Sequence, residues 1–309
     1  MDLRRVGFET APRRITWTPA DCALYALALG AGFDDLAFVS ENAIGHPQQV
    51  YPTFVLAGVM ARESATWSHP GLETGDYSVH QIVLGHVRLE LFGPVEPAGD
   101  VLVRSRVEGI YDTGRSAVVE LSFRADDSDS GAPLFRAVNS LIVRDQGGFG
   151  GPPPPERPTP SVPERPPDQT IVQPTLPNQS LLYRHAGFDP HPIHVDPEIA
   201  RRAGMKGPLL HGLNTVGIAG RALAQTVAGS QTDRLHSIEV SFAAPSFNGD
   251  VLTTQVWLDA REVDGEIHAS RSDEDERRVV FRILNRDGVA VLDRGRALFS
   301  ALGPGAPAP

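Results

Sequence analysis

Leu181–Leu213 reads LLYRHAGFDPHPIHVDPEIARRAGMKGPLLHGL, and it places Asp189 beside His185, His191 and His194 within ten positions. A second knot, His211-Gly212-Leu213, follows just ahead of an apolar run. In Asp189-Pro190-His191-Pro192-Ile193-His194, prolines at alternate positions fix φ and remove backbone donors. That spacing predicts an extended, stiff loop holding its side chains at set angles, which suits a site more than a core. A helix is expected from Asp196-Pro197, because Asp is a good N-cap and Pro suits the first helical position. Gly204 is its natural stop. Beyond Gly207-Pro208, LLHGLNTVGIAGRALAQTV is small and apolar, which predicts a buried helix with Gly212 near its first turn. Backbone N–H groups there lack intrahelical partners and favour negative charge. An Asp, a His and a helix N-terminus close together suit chemistry in which water is activated and an oxyanion is stabilised.

Working outward, strands follow this segment at His236–Ala243, Val251–Arg261, Arg277–Asn285 and Val289–Phe299, with a hydrophilic piece near Ile267. The acidic run Asp273–Glu276, next to Arg277 and Arg278, reads as a solvated turn. The first half has the same order. DCALYALALG, after Thr18-Pro19-Ala20-Asp21, is a capped helix that Gly30 to Gly32 would end, and Tyr51–Trp67 is a second, mostly apolar helix. Strands are expected at His86–Phe92, Asp100–Val107, Ser116–Arg124 and Leu134–Arg144, where apolar and polar residues alternate as in an antiparallel sheet with one buried face. The halves also share residues. Leu89-Glu90-Leu91-Phe92 leads through Pro94 to Gly99-Asp100-Val101-Leu102, as Glu239-Val240-Ser241-Phe242 leads through Pro245 to Gly249-Asp250-Val251-Leu252. Tyr25 parallels Tyr183 and Pro52 parallels Pro208. This is a duplicated unit of helix plus sheet, an α+β architecture. Residues 147–167 are too rich in Pro and Gly to build a core and are expected to be a linker. The expected division is 1–146, that linker, 168–302, and a disordered tail at 303–309.

Composition bounds the partners. The 309 residues are 41% hydrophobic and 21% charged, as in a globular protein, with a formal net charge of −10. That balance argues against nucleic acid and anionic membranes as partners. Cys22 is the only cysteine, so no intrachain disulfide can form, and it reads as a small buried hydrophobe. No apolar run approaches the ~20 residues a membrane helix needs, and the N-terminal residues lack a signal-peptide core. A cytoplasmic enzyme is the expectation.

The central stretch resembles the MaoC-like, (R)-specific enoyl-CoA hydratases of hot-dog fold. Their motif runs Tyr, a few residues, Gly-Asp-x-Asn-Pro-Leu-His, then Asp-Pro, then His-Gly. Tyr183, Gly187, Asp189, Pro192, His194, Asp196, Pro197, His211 and Gly212 fall in place. Two residues depart: Phe188 reads as an insertion between Gly and Asp, and His191 stands where the family has Asn. The resemblance covers nearly the whole chain. It implies two tandem hot dogs, each a long helix wrapped by a curved antiparallel sheet, paired edge to edge. It also implies one site per chain, because the first half has Gly30-Ala31-Gly32-Phe33-Asp34-Asp35 in the corresponding place and no histidine. The first half would then accommodate the acyl tail.

The same resemblance implies that Asp189 and His194 form an acid/base pair around one water, and that the Gly212 N–H stabilises an enolate-like oxygen. No cofactor is consumed, since coenzyme A is part of the thioester substrate. His191 would support by hydrogen bonding, Tyr183 would be an aromatic of the substrate site, and His211 would orient the loop. Arg201, Arg202 and Lys206 form the local basic cluster that could meet coenzyme A phosphates; a solvated helix face is the plain alternative. A metal held by Asp189, His191 and His194, with His185 or Asp196, is a competing set, but its spacing fits no standard zinc pattern and none is expected. A hot-dog thioesterase and a noncatalytic acyl-CoA-binding protein are the rival functions. Two fused hot dogs imitate the usual dimer, so a homodimer is optional.

Overall fold

The computed structural model describes residues 1–64, 73–156, 162–258 and 276–300. The first half begins with strand β1 (Arg13–Trp17) and helix α1 (Pro19–Ala28). Thr18 caps α1 in a reciprocal box. Its hydroxyl accepts from the Asp21 N–H at 3.4 Å, and the Asp21 carboxylate accepts from the Thr18 N–H at 2.8 Å. Gly30 follows the helix at φ 82°, a left-handed turn open to glycine. A short helix, α2 (Leu36–Val39), leads to a π-wound stretch at Val55–Ala61 that continues as α3 (Arg62–Ser64). Every residue from Val55 to Ala61 is buried, so this is the apolar centre of the first half. Strands β2 (Ile82–Leu91), β3 (Gly99–Asp112), β4 (Ala117–Asp127) and β5 (Pro133–Val143) wrap it.

The second half runs β6 (Gln169–Pro174), α4 (Gln179–Ala186), α5 (Pro197–Arg202), the long α6 (Gly212–Val227), then β7 (Leu235–Phe242), β8 (Val251–Leu258), β9 (Glu276–Leu284) and β10 (Ala290–Ser300). The ten strands among the described residues form one sheet in the order β1-β3-β4-β5-β2-β7-β10-β9-β8-β6. Exchanging β1 for β6, β2 for β7 and so on maps one five-strand set onto the other. The seam is the antiparallel pair β2·β7, where Val87 faces Val240 and Leu89 faces Ile238. The matched stretches at Leu89–Phe92 and Glu239–Phe242 thus lie on equivalent strands, joined edge to edge.

The helices of the halves also meet. Tyr25 on α1 and Tyr183 on α4 lie 6.2 Å apart between ring centroids. Gly217 on α6 sits where a Cβ would come within 2.4 Å of the Leu29 side chain and 2.6 Å of the Tyr25 hydroxyl. Asn214 donates to the Ala28 carbonyl at 2.8 Å, and Gln179 donates to the same oxygen, so the end of α1 is capped by the other half. Asp35, in the first half's counterpart of the Asp189–His194 loop, accepts from Arg221 at 2.7 Å and from Gln225 at 3.0 Å, both on α6.

Edge strands β1 and β6 stand in stretches where no strand is expected from sequence. They are short, lie beside Pro12 or Pro174, and need pair on one side only. The Pro-rich run is tied down at both described ends. Gly148 and Gly150 donate to Asp112 at 2.8 Å each, and Trp257 donates to the Arg165 carbonyl at 2.9 Å. Of the expected acidic turn, Glu276 instead opens β9, while Asp273–Asp275 lie outside the described residues, as do the piece near Ile267 and the tail.

Candidate active site

Three local structures build the site. The first is the end of α4. Tyr183 is buried to 1% exposure, and Gly187 closes over it so tightly that a Cβ would lie 2.3 Å from the tyrosine ring. Phe188 then takes φ 53°, the left-handed region that favours glycine. The distance in sequence from Asp189 to His194 is that of the family motif. The left-handed turn falls at Phe188, whereas Gly187 before it has φ −98°.

The second structure is the loop itself. It is not extended throughout: Pro192–His194 forms a 3-10 turn. The Asp189 carboxylate accepts from the His191 N–H at 2.9 Å, and His191 Nδ1 accepts from the Ile193 N–H at 3.0 Å, so both side chains are fixed by their own backbone. The His194 Nδ1 faces the Leu209 carbonyl at 3.1 Å. A carbonyl only accepts, so Nδ1 carries the proton and Nε2 keeps its lone pair. That Nε2 lies 3.8 Å from Asp189 Oδ2. The gap is too long for a direct hydrogen bond and suits a bridging water that donates one proton to each acceptor.

The third structure is the start of α6. His211 is its N-cap, and Gly212 is its first residue. The His211 ring stacks on His194 with centroids 3.9 Å apart, and its Nε2 faces the Asp189 carbonyl at 3.4 Å. His211 is 1% exposed, so it backs His194 as Tyr183 in turn backs His211, with centroids 4.9 Å apart. In the first turn of α6 the Asn214 and Thr215 N–H groups donate to the His211 carbonyl at 3.0 and 3.2 Å, which leaves those of Gly212 and Leu213 pointing ahead of the helix. Gly212 is packed against Phe242, where a Cβ would be 2.8 Å from the ring.

Burial sets the protonation states. It pushes His191 down to about 4 and His211 down to about 3, with Asp189 opposing both shifts. It also lowers His194, again against Asp189. All three imidazoles are held neutral near pH 7, and His194 keeps the lone pair of its Nε2.

The remaining expected residues are more dispersed. Arg201 and Arg202 are exposed on α5, and both bond Glu198, at 2.9 Å in each case. Lys206 lies over the Phe247 ring at 4.3 Å. The weighed metal set does not assemble: His185 is exposed, and Asp196 caps α5 through the Glu198 and Ile199 N–H groups. Asp189, His194 and His211 bring their ligand atoms within 4.8 Å of one another instead. Sequence reasoning missed two neighbours from the first half. His80 meets His191 edge-on at 5.7 Å, and Arg62 lies over the Phe188 ring at 3.6 Å. Both are far away in sequence, with no local motif to mark them.

Residues 158–277 match the MaoC like domain, and residues 15–145 match the MFE-2 hydratase 2 N-terminal domain. A 3-hydroxyacyl-thioester dehydratase Y of Mycobacterium tuberculosis is 37% identical over 83% of this chain and 87% of its own length. The chain belongs to the MaoC-like hydratase family. An enoyl-CoA hydratase of the same organism is 33% identical over 87% of this MaoC-like chain and 93% of its own length. Relatives in Arabidopsis thaliana and Mus musculus carry "peroxisomal" in their names. The solved MaoC-like dehydratase of Phytophthora capsici superposes with a TM-score of 0.80, at 24% identity, covering 97% of this chain and 98% of that one. The shared fold is the double hot dog.

Proposed function

We propose that this chain reversibly hydrates a trans-2-enoyl-CoA to the (R)-3-hydroxyacyl-CoA. The observation that carries the reading is the 3.8 Å gap between His194 Nε2 and Asp189 Oδ2, with the other imidazole nitrogen committed to the Leu209 carbonyl. Water held by the two acceptors is oriented with its oxygen lone pair free to attack. Its oxygen bonds to C3 of the enoyl group, one of its protons passes to the acceptor pair, and a proton is returned to C2. Charge gathers meanwhile on the thioester oxygen, where the Gly212 N–H is the proposed donor; one such donor is worth about 3–4 kcal/mol.

Placing the catalytic residues in the second repeat and the acyl tail in the first belongs to the proposal, as does the absence of a metal or consumed cofactor. Arg201, Arg202 and Lys206 are proposed to meet the coenzyme A phosphates, and the two arginines would exchange Glu198 for them. His191 is proposed to fix the loop; Tyr183 and His211 support the site from behind. A homodimer is compatible but not required, and the cytoplasm is the proposed compartment. The test mixes purified protein with crotonyl-CoA and longer enoyl-CoAs and follows loss of enoyl absorbance, free thiol and product chirality. Loss of absorbance without thiol, giving the (R)-alcohol, is expected. Thiol release would make it a thioesterase, and binding without turnover would make it a carrier of acyl-CoA.

A further inference from the structure

We propose that Phe188 and Arg62 form a clamp by which the first repeat positions the catalytic carboxylate of the second. Phe188 is one of four non-glycine residues with positive φ among the described residues, and it immediately precedes Asp189. A bulky aromatic is disfavoured there, so something must hold it. The holder is Arg62, whose guanidinium lies 3.6 Å from the centroid of the Phe188 ring. Arg62 is itself anchored. It donates to the Thr16 carbonyl at 2.5 Å and to Asp21 Oδ1 at 3.2 Å. Asp21 is fixed in turn by the cap of α1. A chain of contacts therefore runs from β1 and α1 of one repeat to the residue beside Asp189 of the other. The Asp189 carboxylate also bonds the His191 N–H, and His191 meets His80 of the first repeat at 5.7 Å. The loop is braced from the same repeat on both sides of the carboxylate. Phe188 and Arg62 are positioning residues: neither needs to touch the substrate for Asp189 to depend on them.

This inference rests on the hydratase reading for its rate measurement, so the test has a second readout that needs no turnover. Phe188→Gly relieves the backbone strain and removes the ring; Arg62→Gln removes the cation and keeps a donor for the Thr16 carbonyl. Each is expected to lower kcat on crotonyl-CoA about tenfold with KM within about twofold, and the double variant to lose no more than either single one, because one contact is removed in all three. Phe188→Tyr, which keeps a ring under the guanidinium, should recover most of the rate. In the resting protein, NMR titration of His194 should show its pKa falling in Phe188→Gly, since a loosened Asp189 stabilises the imidazolium less. If wild type is inactive but the His194 titration moves, the clamp stands and the assigned reaction fails. Unchanged titration, a Phe188→Gly enzyme as fast as wild type, or additive losses in the double variant would each overturn the clamp.

Discussion

His194 carries the main burden at the scale of single residues. Its Nδ1 is committed to the Leu209 carbonyl, so only the Nε2 lone pair is available to a water. Burial holds its pKa below the ordinary value of 6.5. The proposed mechanism requires the neutral ring, so kcat/KM should be flat from pH 8 down to about 6.5 and fall only in more acid solution. A pH–rate profile declining already between pH 8 and 7 would contradict this. Stability follows the same sign. His191, His194 and His211 all bind protons less readily folded than unfolded. Their contribution is complete above about pH 6.5 and is lost as pH falls toward their folded values, about 4 for His191 and about 3 for His211. The melting temperature should drop over that window, and less so in His191→Asn; an equal drop in the variant would remove His191 from the account. Much of this was legible in sequence. Asp189, His194 and the His-Gly knot stood in a motif whose spacing is chemical. The stacking of His211 on His194 was not, because a ring's facing partner depends on where α6 starts in space.

At the scale of elements, the close approach of α6 to α1 depends on Gly217. A Cβ there would lie 2.4 Å from Leu29 and 2.6 Å from the Tyr25 hydroxyl. In an exposed helix Gly→Ala gains about 1 kcal/mol. Here Gly217→Ala should cost about 1–3 kcal/mol, because the packed neighbours must move. Urea unfolding measures it, and a stabilised variant would contradict the packing. The elements themselves were mostly readable. The α1 cap at Thr18-Pro19-Ala20-Asp21 and the alternating strands depend on local chemistry. Strands β1 and β6 were not, since a single-edged strand needs little of the apolar alternation that marks a central one. The left-handed turn at Phe188 was not legible, because a motif written as letters does not show which position carries it.

At the scale of the whole molecule, duplication made two equivalent loops whose carboxylates have different partners. Asp189 faces His194 across a gap a water could fill, whereas Asp35 is closed off by Arg221 and Gln225. Arg221 also bonds Gln173 at 3.0 Å, so the second half's helix and edge strand converge on a carboxylate of the first. Asp35 and Arg221 are 8% and 14% exposed, so removing one partner leaves a charge poorly hydrated. Asp35→Ala should cost about 3–5 kcal/mol, and Arg221→Met in the same chain should recover part of that. Equilibrium unfolding of the wild type and the two variants decides it; a loss in Asp35→Ala below about 1 kcal/mol would mean the pair does not join the halves. The duplication was visible in the repeated Gly-Asp-Val-Leu, but the cross-repeat contacts were not, because Arg62, His80 and Arg221 lie far in sequence from the residues they meet.

The central claim is that Asp189 and His194 share one water beside a thioester. The direct measurement is steady-state hydration of crotonyl-CoA by wild type, Asp189→Asn and His194→Gln, with folding checked by circular dichroism. The account predicts folded variants whose kcat falls on the order of 10²–10⁴-fold, the usual worth of a positioned acid or base. Variants that hydrate at the wild-type rate would contradict it.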